Sequence, residues 1–215
     1  PPDGGVTRPT YSQADLAARR WLEDRAVEAG LSHHEDAVGN VHLRLPGPPG
    51  APDVWVGSHL DSVPNGGRLD GALGVVAALE VLRAIREEGP ALAHGVVGVS
   101  FADEEGAYGG FLGSKATMGL LTAADMAAAT GRDGTSLHDA MRSAGYDPDG
   151  LASAAVDPAA IRAFVELHIE QGAVLEHEGL SIGVVTDIVG VLRGTVTFTG
   201  RADHAGATPM HLRKD

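Results

Sequence analysis

The chain has 215 residues, 43% of them hydrophobic, enough for one domain with a full core or for one domain and part of a second. Its 16 Lys and Arg stand against 29 Asp and Glu, a formal net charge of −13, which argues against nucleic acid or an anionic membrane as partner and suits cation binding. With no cysteine, disulfides and thiolate ligands are excluded, and any metal must be held by His, Asp or Glu.

No charged-then-apolar leader opens the sequence, and no apolar run approaches the roughly 18 residues of a membrane span. The expectation is a soluble, cytoplasmic protein. Because the chain opens at Pro1 and closes at Asp215 just after a turn, it is expected to be a piece of a longer one.

In chain order, Ser12 to Ala29 reads as a helix with Ser12 as N-cap and Asp15 three residues on. Ala18, Trp21, Leu22, Ala26 and Ala29 form its apolar face, and Gly30 closes it. Asp36 to Leu45 reads as a turn feeding an alternating strand, and Pro46 to Pro52 as a loop. His33, His34 and His42 are expected at the surface or an edge rather than at a metal.

Val54-Trp55-Val56 is a short buried-strand pattern, so His59 and Asp61 emerge at a strand's C-terminal end, where open α/β sheets build their sites. Alternation puts the two on one side, where the Asp61 carboxylate can orient the imidazole through its second nitrogen. The turn Pro64-Asn65-Gly66-Gly67 can bring Asp70 back toward His59 at the mouth of the next helix. A hard carboxylate beside a neutral imidazole suits zinc or a similar divalent ion. That helix runs from Gly71 to Glu88 with Leu73, Val76, Ala77, Val81, Ala84 and Ile85 toward a core, and Glu87 to Pro90 as its exit.

His94 to Ala102 is a second buried strand that delivers Asp103-Glu104-Glu105-Gly106. Two adjacent carboxylates can divide labour, one turned to a metal and the other facing the cleft as general base; spacing leaves their order open. An Ala-rich helical region, interrupted near Gly131-Arg132-Asp133-Gly134, extends from Gly113 to about Ala155 and carries no chemistry, His138 included. A third strand, Ala163 to Leu167, ends in His168-Ile169-Glu170-Gln171-Gly172, so His168 joins His59, Asp70 and Glu105 as a potential ligand. Beyond Gly179, Ile182 to Val189 and Val191 to Thr199 are β-rich and read as paired strands of a smaller unit, closed by the loop Gly200 to Met210.

Five segments in order carry a resemblance: D-A-V-G-N at Asp36 to Asn40, G-S-H-L-D-S-V-P-N-G-G-R-L-D-G from Gly57 to Gly71, D-E-E-G at Asp103 to Gly106, H-I-E-Q-G at His168 to Gly172, and D-H-A-G-A-T-P-M at Asp203 to Met210. With these the chain, from about Gly4 to Asp215, resembles the metal-dependent amidohydrolase branch of the M20 peptidase family. That branch holds N-carbamoyl-L-amino-acid hydrolases, allantoate amidohydrolases and ureidopropionase-like enzymes. The resemblance implies a two-metal site in which Asp70 bridges, His59 and His168 hold one ion and Glu105 the second, with Glu104 as general base. It also implies Gln171 as a substrate contact, and His204 as a residue that crosses a homodimer to donate to the developing oxyanion. A further ligand histidine and a carboxylate-binding arginine are expected beyond Asp215. The sequence departs from the pattern at Tyr108-Gly109, where the family commonly has an aromatic or basic pair, which touches substrate details rather than the metal site.

M20 peptidases usually resemble one another in having an acid where this chain has His168, so the histidine favours carbamoyl or ureido substrates. A second imidazole leaves the site about one charge unit more positive, suited to polarising a urea-type carbonyl. The expectation is an α/β catalytic domain over residues 1–180, with a mixed, mostly parallel sheet sandwiched by helices. Residues 181–215 are expected to begin an inserted α+β dimerisation (lid) domain. The activity expected is hydrolysis of a linear amide C–N bond of an N-carbamoyl-L-amino acid, using two ions such as Zn²⁺ or Mn²⁺, with Co²⁺ or Ni²⁺ as alternatives. Allantoate hydrolysis, an M20 aminopeptidase or dipeptidase, and a non-catalytic metal-binding or dimerisation module are the competing readings.

Overall fold

The computed structural model describes residues 4–89, 91–190, 192, 194–197 and 199–214; of the segments named above, Pro1 to Asp3, Pro90, Val191, Arg193, Phe198 and Asp215 lie outside it. The described chain falls into two compact units, residues 1–171 and 172–215.

The first unit is built on a five-stranded sheet. Its strands are β1 (Ser32–Glu35), β2 (Val41–Leu45), β3 (Asp53–His59), β4 (Val96–Phe101) and β5 (Ile161–Val165). Their spatial order is β1-β2-β4-β3-β5, with β1–β2 and β2–β4 antiparallel and β4–β3 and β3–β5 parallel. Four strands therefore run in one direction and only β2 is reversed. The expected mixed, mostly parallel sheet flanked by helices is what the chain forms. Polar β1, Ser-His-His-Glu, was not expected, because it has no apolar alternation and exists through its ladder to β2.

Helices α1 (Gln13–Glu28) and α2 (Ala72–Glu88) cover one face of the sheet. Leu22 and Ala26 of α1 and Val75, Leu79 and Leu82 of α2 pack with Val41, Leu43 and Leu45 of β2. The remaining core of the sheet comes from Trp55, Val97 and Val99. The α2 face differs from the one expected: Val76 and Val81 are exposed, while Val75, Ala78, Leu79 and Leu82 are buried. The helix is apolar on most sides, so its periodicity fits two faces, and contact with the sheet, β3 above all, selects between them.

On α1 the expected Ser12 cap is present, its hydroxyl accepting the Asp15 N–H at 3.2 Å. Trp21, expected in the apolar stripe, is 44% exposed, and the charged pair Asp15–Arg19 is buried instead. The two side chains meet at 2.6 Å, and Arg19 Nη1 donates to Gly39 O at 2.6 Å and to the Tyr146 hydroxyl at 3.0 Å. A paired and hydrogen-bonded charge is tolerable in a core where a lone one is not. Gly39 is required here, because its φ is +80° and a Cβ would stand 1.8 Å from Arg19 Nη1. His42 is buried rather than at the surface, stacked on His34 and 3.3 Å from Asp36 Oδ2.

The Ala-rich region forms three short helices, α3 (Leu112–Thr117), α4 (Ala123–Ala128) and α5 (Leu137–Ala144), around Met126, Leu137 and Met141. In the second unit, α6 (Val174–Glu178) is followed by residues 181–199 with no strand among those described. Ile182, Val184, Val185, Ile188 and Val189 are exposed, and the expected paired strands are not formed there. A β-pattern becomes a strand only when a ladder satisfies its N–H and C=O groups, and the described residues of this segment pair with none. No helix of the described residues is long and apolar enough to cross a membrane.

Candidate metal centre

Because β3, β4 and β5 are parallel neighbours, their C-terminal ends lie along one edge of the sheet. His59 is the last residue of β3, the acid pair Glu104-Glu105 follows β4, and His168 follows β5. Asp70 sits just ahead of α2, after the turn that leaves β3. The chain thus converges five ionisable side chains from four separate segments of one compact unit.

Two donor groups result, each with its ligand-type atoms within 4.8 Å of one another: His59, Asp70 and His168, and His59, Glu104 and Glu105. His168 Nε2 is 3.2 Å from Asp70 Oδ1, and His59 Nε2 is 3.5 Å from Glu104 Oε2. Asp70 groups with the two histidines, and Glu105 with His59 and Glu104, so the groups share His59 rather than Asp70.

A test of metal fit lies in Asp70. Its Oδ2 accepts the Gln171 side-chain amide at 2.8 Å, whereas Oδ1 is buried and makes no hydrogen bond among the described residues, its ion-pair neighbour being the His168 ring at 3.2 Å. A buried carboxylate oxygen that makes no hydrogen bond carries a desolvation cost that a cation relieves. With imidazoles alongside, the donor set is that of a borderline divalent ion. The residues present fit a metal.

Asp61 acts on both halves of the site. His59 Nδ1 lies 3.0 Å from Asp61 O and 3.6 Å from its Oδ1. The carboxylate itself accepts the backbone N–H of Glu104 at 3.2 Å and of Glu105 at 3.1 Å. The closest contact of the imidazole is therefore the carbonyl of Asp61, and the carboxylate holds the acid loop as well. Burial raises the Asp61 carboxyl above its ordinary range, against the opposing pull of His59 and of those two N–H donors. Burial also raises Glu104, reinforced by the charges of Glu105, Asp61 and Glu166 and opposed by His59. Asp103 is pushed up to about 6 by burial and then by Asp61.

Asn40 was legible only as a motif residue, and the structure explains it. Its Oδ1 accepts the Ala102 N–H at 2.9 Å and its amide donates to Asp36 Oδ2 at 2.7 Å, tying the start of β2 to the residue before the acid loop. Thr10, which accepts the Asp103 N–H at 2.8 Å, carried no signal in the sequence.

Gly71 is demanded twice over. Its φ is +61°, and a Cβ would stand 2.4–2.5 Å from three atoms of the His59 ring. Gly71→Ala is expected to cost about 1–3 kcal/mol for the strained backbone alone and to displace His59. A thermal melt and a cobalt titration of the full-length protein check both effects, and unchanged cobalt affinity would show that the ring holds its place regardless.

His204 lies in the second unit. Its Nδ1 accepts the N–H groups of Gly206 at 3.2 Å and Ala207 at 3.1 Å. An imidazole that accepts at Nδ1 carries its proton at Nε2, so the loop fixes the tautomer that presents a donor outward.

Residues 55–212 match the family described as Peptidase family M20/M25/M40. The chain is 47% identical over its whole length to an N-carbamoyl-L-amino acid amidohydrolase of Geobacillus stearothermophilus, of which it covers 53%. It is 42% identical to the allantoate amidohydrolase of Escherichia coli (strain K12), covering all of this chain and 52% of that one. A crystal structure of an amidase of the hydantoinase/carbamoylase family from Burkholderia phymatum superposes with a TM-score of 0.80 at 40% identity, over 98% of this chain and 51% of that one. The chain spans about half the length of the curated relatives it matches.

Proposed function

The chain belongs to peptidase family M20/M25/M40, and from that premise we propose that the full-length protein hydrolyses the C–N bond of a linear carbamoyl or ureido compound, an N-carbamoyl-L-amino acid first of all. The observation that carries the reading is the His59–Asp70–His168 group, in which a buried Asp70 oxygen makes no hydrogen bond among the described residues, set beside an acid pair. Similarity to relatives named for carbamoyl amino acids and allantoate supports the substrate class.

His59, Asp70 and His168 would hold one divalent ion, and Glu105, grouped with His59 and Glu104, a second; Zn²⁺ and Mn²⁺ fit the donors, and so do Co²⁺ and Ni²⁺. Such ions supply Lewis-acid polarisation of the substrate carbonyl and a more acidic water. Glu104, half-buried and raised by its surroundings, takes a proton from the attacking water and passes it to the leaving nitrogen. Asp61 keeps both acids in place through their backbone N–H groups, and Gln171 steadies Asp70 while its neighbourhood receives the substrate.

The exposed apolar side chains between Ile182 and Val189 suit the beginning of a dimerisation (lid) domain, so the protein is read as a homodimer, with residues 1–180 as its catalytic portion. A cytoplasmic setting suits a chain without cysteine. Ammonia and CO₂ release by the full-length protein from an N-carbamoyl-L-amino acid, allantoate, 3-ureidopropionate and a dipeptide, with each metal restored in turn, tests the reading. Fastest turnover of the carbamoyl amino acid is expected. The 42% identity to an allantoate enzyme makes allantoate the second reading. Cleavage of the dipeptide without ammonia release, or no turnover of any substrate, would overturn both.

A further inference from the structure

Three consecutive backbone N–H groups of the acid loop are each held by a side chain from elsewhere in the sequence. Glu104 and Glu105 donate to the two oxygens of Asp61, and Asp103 donates to Thr10 Oγ1 at 2.8 Å. Thr10 is 3% exposed. It belongs to an N-terminal arm fastened along the segment that follows β3: Val6 pairs with Gly66, Ser62 N–H donates to Arg8 O at 3.0 Å, and Arg8 N–H donates to Ser62 Oγ at 3.0 Å. The arm therefore connects the segment after His59 to the loop of the acid pair.

At Asp103 the chain turns through φ +52°, which swings the next two residues toward His59. The Asp103 carboxylate closes the loop from within by accepting the Tyr108 N–H at 3.1 Å. The direction of the peptide between Ala102 and Asp103 decides where the following N–H groups meet Asp61, and hence where the Glu104 and Glu105 side chains start. Thr10 is the group that holds that peptide's N–H. Without it a buried donor has no acceptor, and the peptide is held at its carbonyl alone, where Ala102 O accepts the Gly113 N–H at 2.8 Å, a looser hold on the geometry that suits Asp61.

We propose that Thr10 is a positioning residue of the acid pair, its hydroxyl fixing the peptide ahead of Asp103 so that Glu104 faces the substrate while Glu105 faces the metal. The inference rests on the roles given above to Glu104 and Glu105. It assigns a function to the N-terminal arm that neither the family resemblance nor the donor groups contain.

The test compares Thr10→Val, which keeps the shape and removes the acceptor, with Thr10→Ser, which keeps the acceptor, in the full-length protein. Cobalt binding is followed by calorimetry and visible absorption, and kcat and KM are measured separately. Thr10→Val is expected to lower the affinity of one cobalt step, kcat, or both, by about 10–100-fold, as loss of an outer-shell hydrogen bond does. KM should stay near the parent value and the other cobalt step should be unchanged, while Thr10→Ser restores both quantities. If Thr10→Val does not fold, Thr10→Ala is read on the same scales, since it removes the hydroxyl without forcing a second methyl into the site. Parent-like cobalt binding and kcat in the folded variant would overturn the proposal, and so would equal losses in Thr10→Val and Thr10→Ser, which indicate packing. Failure of the parent protein to bind cobalt or to release ammonia would instead overturn the functional reading, and the positioning role with it.

Discussion

Glu104→Gln is expected to lower kcat by at least about 10²-fold, the usual consequence of removing a general base, while the full-length protein keeps its metal. The substitution preserves shape and removes only the ability to accept a proton. Glu104 is half-buried, and burial, with the charges of Glu105, Asp61 and Glu166 and against the pull of His59, raises its carboxyl above the ordinary range. Glu105→Gln is expected to act on the other quantity, metal occupancy. Metal analysis of the two variants beside their kcat values separates the roles. Loss of metal in Glu104→Gln with full loading in Glu105→Gln would require the two to be exchanged.

A loss of similar size, about 10²–10³-fold in kcat, is expected for His204→Ala on our proposal that His204 donates to the developing oxyanion, corresponding to about 3–4 kcal/mol of transition-state stabilisation from one donor. Metal content and dimerisation should be unchanged. The loop that directs two N–H groups onto Nδ1 fixes the donor tautomer in advance. Mixing this variant with Glu104→Gln asks which subunit His204 serves. If it serves its partner's site, a mixed dimer contains one site with both defects and one with neither, and activity partly returns. If it serves its own, every site keeps a defect, and no recovery should follow once subunit exchange has been shown.

The donor residues were legible because two simple signals coincide at them. A short apolar run ends, and a His or an acid pair follows, at His59, at Glu104-Glu105 and at His168. The parallel order of β3, β4 and β5 is what turns three such strand ends into one place. Asp70 was reachable through the turn before it. What the sequence hid was hidden for physical reasons. Strand β1 is polar and depends on a partner, and the side of α2 that is buried is chosen by tertiary contact from a helix apolar on most sides. The Asp15–Arg19 pair looks like ordinary surface charge until Tyr146, more than a hundred residues away, is placed against it. Thr10 was invisible because one hydroxyl accepting one distant N–H leaves no periodicity and no spacing. The apolar alternation after Gly179 records a capacity to pair, which is not the same as a pair.

The buried Asp15–Arg19 contact also bears on how the fold responds to heat. At 25 °C such a pair contributes little beyond what an apolar pair of the same shape would, since the cost of stripping water from two charges nearly offsets their attraction. That cost shrinks on warming, because hydration of charged groups carries an unfavourable entropy, while the gain per unit of apolar area levels off. The anchorage of α1 to Gly39 and Tyr146 through Arg19 therefore strengthens, relative to the aliphatic packing around Leu22 and Ala26, as the temperature climbs.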